Sequence, residues 1–120
     1  VSDVSQAKVL IVVFAMPQCP ACHEYLPRFW KQVEGFQRLG YPFVPYAPST
    51  NINRGDIPIL VYDVTSKDPS VQQFADRFEV SSVPATVFLP KMGGFHKLVG
   101  AQDDETIYRL LLAATTVNSN

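Results

Sequence analysis

Val9-Leu10-Ile11-Val12-Val13-Phe14-Ala15 runs through Met16-Pro17-Gln18 into Cys19-Pro20-Ala21-Cys22. The stretch from Val9 to Phe14 is unbroken in its apolarity and rich in β-branched residues, which suits a strand buried on both faces in a sheet covered by helices; a strand with one wet face would alternate. Past the cysteines, Leu26, Phe29, Trp30, Val33 and Phe36 recur at three- and four-residue spacing, with Glu24, Arg28, Lys31 and Glu34 between them. This predicts an amphipathic helix that ends near Gly40. Cys19 thus falls where a buried strand gives way to a helix, among the unpaired N–H groups of the helix start, and that setting favours a thiolate. Two cysteines three residues apart can close a small disulfide ring, in which the exposed thiol of lowered pKa attacks and the deeper one, Cys22, resolves. Read alone, the pair is also compatible with two thiols that merely lie close together.

The rest of the chain supplies the frame. Tyr41 to Pro58 carries four prolines and the polar run Ser49 to Asp56, so it is expected to be a long irregular excursion. Ile59 to Val64 reads as a second central strand. Asp68 or Ser70 is placed to cap a helix whose buried stripe is Val71, Phe74, Ala75 and Phe78. Thr86 to Leu89 and Lys97 to Val99 are short strands separated by Lys91-Met92-Gly93-Gly94, a hairpin signal. Asp103 and Asp104 open a last helix with Ile107, Leu110, Leu111 and Ala114 on one face. The prediction is a single α/β domain over residues 1–120, with a mixed sheet of about four strands between helices.

Composition narrows the function classes. The 120 residues are 47% hydrophobic and 18% charged, enough for one packed core and too apolar for disorder. Ten Lys and Arg against eleven Asp and Glu leave no basic field to hold nucleic acid or anionic lipid. The longest apolar run, seven residues, is far short of the roughly 20 that a membrane-spanning helix needs. With two cysteines in all, a multi-disulfide scaffold is excluded. The chain begins at Val1, which leaves both initiator removal and trimming of an upstream segment open.

In four places the sequence resembles the thioredoxin superfamily. These are the strand leading into Cys19-Pro20-Ala21-Cys22; Pro27, five residues past the second cysteine; Phe78-Glu79-Val80-Ser81-Ser82-Val83-Pro84-Ala85-Thr86, which is similar to the family's cis-proline loop; and Leu98-Val99-Gly100-Ala101 before the last helix. The resemblance spans Lys8 to Ala114. It implies a thioredoxin-like fold, with the first strand and helix of full-length thioredoxins shortened or absent, and a protein disulfide reductase activity. Cys19 would be the nucleophile and Cys22 the resolving thiol, with Pro20 and Ala21 in the active-site loop. Gln18, Val83, a cis Pro84 and Gly100 would meet an extended substrate peptide. The redox disulfide itself would be the only cofactor. Partners would be disulfide-containing proteins and an electron-donating reductase or small thiol, with no nucleic acid and no membrane. A monomer is expected, in the cytoplasm ahead of a periplasmic or lumenal site.

The departures from that pattern matter as much. Thioredoxins usually carry Trp before the first cysteine, Gly-Pro between the two, and a buried Asp on the preceding strand with a lysine partner. Gln18, Pro20-Ala21, Val13 and a residue near Val61 stand in those places. Proton transfer at Cys22 then falls to water or to a neighbour such as His23 or Glu24. Two other roles stay open: a non-catalytic binding or accessory module of the same fold, and a disulfide-forming oxidant. Cys19-Pro20-Ala21-Cys22-His23 also satisfies the spacing of c-type haem attachment, with Met92 as a distant ligand, and a zinc site with His23 and His96 is a weaker possibility. Arg54-Gly55-Asp56, an integrin-type tripeptide, is read as an ordinary turn. Trp30 is assigned to the core and Asp63 to a solvated strand end.

Overall fold

The computed structural model describes residues 4–120. A single 3-10 turn at Val4–Gln6 leads into β1 (Val9–Ala15) and α1 (Pro20–Arg38). Then come β2 (Phe43–Pro45), β3 (Ile57–Asp63), α2 (Pro69–Arg77), β4 (Ala85–Pro90), β5 (His96–Val99) and α3 (Asp104–Ser119). The strands form one sheet in the order β2-β3-β1-β4-β5. β1 pairs parallel with β3, Ile11 opposite Ile59 and Val13 opposite Val61, and antiparallel with β4, Val13 opposite Thr86. The expectation of a shortened first strand and helix concerns the segment before Lys8. There the described part is the Val4–Gln6 turn, and residues 1–3 lie outside the described residues.

Every residue of β1 is buried, as its continuous apolarity requires. Its side chains alternate between two cores. Val9, Ile11 and Val13 join Phe29, Val33, Phe36, Ile107 and Leu111 under α1 and α3, while Leu10, Val12 and Phe14 join Ala75 and Phe78 under α2. The last two helices start on side-chain caps. Asp68 accepts from the Ser70 N–H at 3.0 Å, and Asp103 accepts from the Thr106 N–H at 2.8 Å. Hydrogen bonding holds both carboxyls below their ordinary range.

The sheet has five strands rather than four. The additional one, β2, lies inside the predicted excursion and pairs parallel with β3, Phe43 opposite Ile57 and Pro45 opposite Ile59. Its three residues are too few to show a period, and its prolines read as breakers. As an edge strand, however, it can carry Pro45. Pro58 sits at the start of β3, before the pairing with β1 begins at Ile59. The excursion is further pinned by the buried Ile52. Arg54-Gly55-Asp56 forms a turn closed by the Asp56 N–H donating to the Asn53 carbonyl at 3.1 Å and the Asn53 N–H donating to Asp56 Oδ2 at 2.9 Å. On α1 the buried stripe runs through Cys22, Tyr25, Phe29, Val33 and Phe36, so Tyr25 takes the inward place expected of Leu26. Leu26 and Trp30 pack half-buried at the edge.

α2 ends on Glu79, which holds φ 53 and follows the cap Phe78. Helices commonly end on a left-handed residue of this kind, and glycine is the usual choice because a Cβ is strained there. Glu79 contributes its backbone oxygen, which accepts from Lys97 Nζ at 2.6 Å, and that bond does not depend on the side chain. Glu79→Gly is therefore expected to raise the unfolding free energy by about 0.5–1 kcal/mol, read by urea denaturation; an unchanged or lower midpoint would contradict the strain argument.

Candidate functional site

Where β1 ends, Met16-Pro17-Gln18 carries the chain off the sheet and Cys19 becomes the N-cap of α1. Its φ of −123° is extended, Pro20 follows at the first helical position where a missing N–H costs nothing, and the Cys22 N–H donates to Cys19 Sγ at 3.0 Å. The two sulfurs are joined as a disulfide with Cα atoms 5.2 Å apart. The contrast between an exposed and a protected thiol is smaller than expected, since Cys19 is 5% exposed and Cys22 2%. Pro20 and Ala21 stand out as the surface of the first turn, and Val83 packs from the opposite side. What separates the sulfurs is direction: Cys19 lines an open groove of about 640 Å³ and Cys22 does not.

Gln18, Pro20, Ala21 and Val83 line the same groove. The Val83-Pro84 peptide is cis, and Val83 O lies 3.8 Å from Cys19 Sγ. That contact is no hydrogen bond in the disulfide state, because the sulfur carries no proton. Pro84 itself is buried, and Gly100 supports it from behind by donating its N–H to Pro84 O at 2.7 Å. Gly100 holds φ 92, with open space where a Cβ would stand, so conformation and not room reserves this position for glycine. It stands behind the proline rather than on the groove.

The two neighbours considered for proton transfer are held elsewhere. His23 Nε2 donates to Pro17 O at 2.6 Å. Glu24 is hydrogen-bonded to Arg28, which also donates to Asp104 Oδ1 at 2.9 Å, and the guanidinium holds the Glu24 carboxyl below its ordinary range. Asp63 closes a turn by accepting from the Thr65 N–H at 2.8 Å. Met92 sits in the β4–β5 turn, 85% exposed.

The thioredoxin-like domain family matches residues 4–115. The chain belongs to the thioredoxin-like family. A thioredoxin variant from Halobacterium salinarum superposes with a TM-score of 0.62 at 22% identity, over 95% of this chain and 81% of that one. The oxidised thioredoxin of Plasmodium falciparum gives 0.61 at 16%, over 92% and 85%. Oxidised mitochondrial thioredoxin 3 of Saccharomyces cerevisiae gives 0.55 at 17%, over 98% and 83%. At these identities the likeness is one of fold. No curated protein matches the chain in sequence.

Val13, fully buried on β1, stands opposite Val61 of β3, which is 39% exposed. On the other side of Val13 stands Thr86, one of two buried polar residues among those described, and its Oγ1 shares a 2.8 Å hydrogen bond with the Tyr25 hydroxyl. Sequence reading missed this pair because its members are 61 residues apart and each looks like a boundary residue in its own element.

Burial pushes the Tyr25 phenol above its ordinary value, with smaller opposing effects from Thr86 and Arg28. A raised native pKa means that the neutral phenol's contribution is complete below about pH 10, the free-tyrosine value, and is lost as pH rises through the native value. Tyr25→Phe should cost about 1–3 kcal/mol at neutral pH by leaving Thr86 Oγ1 unpaired in the core. It should also flatten the fall of stability above about pH 10. Tyr62, likewise raised by its burial, keeps some slope. Urea denaturation across that range reads both effects, and equal slopes in the two proteins would refute the assignment.

Proposed function

We propose that this protein is a thiol-disulfide oxidoreductase that reduces protein disulfides through Cys19 and Cys22. The observation that carries the reading is the Cys19–Cys22 disulfide at the N-terminus of α1, with the Cys19 side of the pair on an open groove beneath the cis Val83-Pro84 peptide. In the reduced protein the helix start and the Cys22 N–H stabilise a Cys19 thiolate. The thiolate attacks one sulfur of a substrate disulfide and expels the other as a thiolate, leaving a mixed disulfide. Cys22, once deprotonated, attacks Cys19 Sγ and releases the second substrate thiol. Two electrons have then passed from the protein to the substrate, and a reductase or small thiol returns the pair to its dithiol form. Gln18, Pro20, Ala21 and Val83 would flank the substrate peptide, and Pro84 with Gly100 would hold the Val83 edge in place.

With valine at the buried position 13 and no carboxylate anywhere on β1, that strand offers Cys22 no carboxylate relay. Glu24 is a weak base because of Arg28 and His23 is bonded to Pro17 O, so water would take the proton, and exchange would be slower than in a protein with the relay. The valine at position 13 also favours a second reading, in which the fold is kept as a binding or accessory module and the disulfide turns over little. No further cofactor is needed for either, and a monomer suffices. A cytoplasmic site goes with the reducing role.

Insulin reduction driven by dithiothreitol separates the readings. The wild-type protein should accelerate it and Cys19→Ser should fall to the uncatalysed rate; no acceleration by wild type would leave the binding module. The direction of electron flow is read from the reduction potential of the pair. A value near about −270 mV marks a reductant, and one near about −120 mV a disulfide-forming oxidant in a periplasmic or lumenal setting.

A further inference from the structure

The groove beside Cys19 lies between the first turn of α1 and the last turns of α2, whose Gln72, Ala75 and Asp76 form its far wall. Asp76 is the one charged residue among those that line it, and no lysine or arginine does. Gln72 is engaged, since its Nε2 donates to Val64 O and Ser66 O at 2.9 and 3.0 Å. Among the described residues the Asp76 carboxylate has no ion pair and no hydrogen bond, so its charge is not neutralised locally. Its position is also costly to the fold, because an anion in the last turn of a helix opposes the helix dipole. A charge that neither caps nor pairs, and that faces the groove onto which Cys19 opens, acts on whatever enters that groove.

We propose that Asp76 makes the site selective for disulfides that carry positive charge beside the attacked sulfur, such as cystines flanked by lysine or arginine, over anionic ones. The inference rests on the oxidoreductase reading of Cys19 and Cys22 and names its substrate class. Asp76 is exposed, so its interaction with an incoming charge is screened, short in range and modest in size. It adds to the rate of encounter and to the stability of the mixed disulfide. It does not touch the reacting sulfurs.

The test uses the reduced, desalted protein and three small disulfides: cystamine, a dication; bis(2-hydroxyethyl) disulfide, neutral; and 3,3′-dithiodipropionate, a dianion. Stopped-flow tryptophan fluorescence follows the oxidation, with Trp30 as the reporter, and each rate is divided by that of free 2-mercaptoethanol to remove the intrinsic reactivity of the disulfide. The cystamine-to-dithiodipropionate ratio should exceed one in the wild type and fall by about threefold in Asp76→Asn and further in Asp76→Lys. Molar salt should bring the wild-type ratio down to that of Asp76→Asn. A general change in Cys19 reactivity would move all three rates together and cancel in the ratio. Asp76→Asn should keep or gain thermal stability by relieving the helix end, so a lost ratio reads charge and not damage. A ratio that is the same in wild type and Asp76→Lys would overturn the inference while the oxidoreductase reading stands. No reaction of wild type with the neutral disulfide would overturn that reading, and this one with it.

Discussion

The double-sided burial of β1 is the constraint on which the rest of this protein depends. A strand with water on one face could not take helices on both, and with helices on both faces it must pair on both edges to satisfy its backbone. β3 and β4 supply those edges, one parallel and one antiparallel. The site follows from this arrangement. The parallel partner brings the start of α2 back over the C-terminal end of β1, the antiparallel partner begins there at Ala85 directly after the cis Val83-Pro84 peptide, and α1 starts at the same end with Cys19 as its cap. Three elements from distant parts of the chain therefore converge on one sulfur because one strand occupies the middle of the sheet.

The interior beneath the site is chemically quieter than the arrangement above it. Val13 is fully buried on β1, and its register partner on β3, Val61, is partly exposed. A carboxylate at the buried position 13 would carry a desolvation penalty that the valine avoids. Under the oxidoreductase reading, β1 then supplies no carboxylate base. The Tyr25–Thr86 hydroxyl pair next to Val13 does not replace it, since a buried phenol with a raised pKa stays neutral where a base is needed. Its role is to satisfy two polar groups inside an apolar core and to fix α1 against β4. Under the oxidoreductase reading, the helix start would activate the attacking thiol, while β1 offers the resolving thiol no carboxylate.

How much of this could be read from the residues depended on whether the information was local. β1, α1 and α3 were legible because an unbroken β-branched run and three-four periodicities are written along a single element. β2 was not, because three residues carry no period and the prolines around it are compatible with an edge strand only once β3 is known to lie beside it. The inward turn of Tyr25 in place of Leu26 was hidden for the same reason: a tyrosine goes inside when its hydroxyl has a partner, and Thr86 is far along the chain. At the site, Cys19, Pro20, Ala21, Gln18 and Val83 came together as the motifs suggested. Gly100 instead stands behind Pro84, and Glu24 belongs to an Arg28–Asp104 network that no motif announced. Asp76 belongs to no motif in the sequence, and only the folded groove places it on one lining with Cys19.

Seen in electrostatic terms, the groove is walled by two helix ends of opposite sense. The N-terminus of α1 presents unpaired N–H groups and a partial positive charge to Cys19 Sγ, and the last turn of α2 presents a partial negative charge reinforced by Asp76. The positive end acts over the length of a hydrogen bond and stabilises a thiolate at the cap. The negative end acts across the groove and is met by whatever part of a substrate extends beyond its sulfur. A small anionic disulfide would bring its own charge against that wall, whereas a folded protein can present a basic side chain to it while its sulfur reaches Cys19. In the proposed reading, activation of the nucleophile and discrimination among partners would fall to different helices packed on the same sheet.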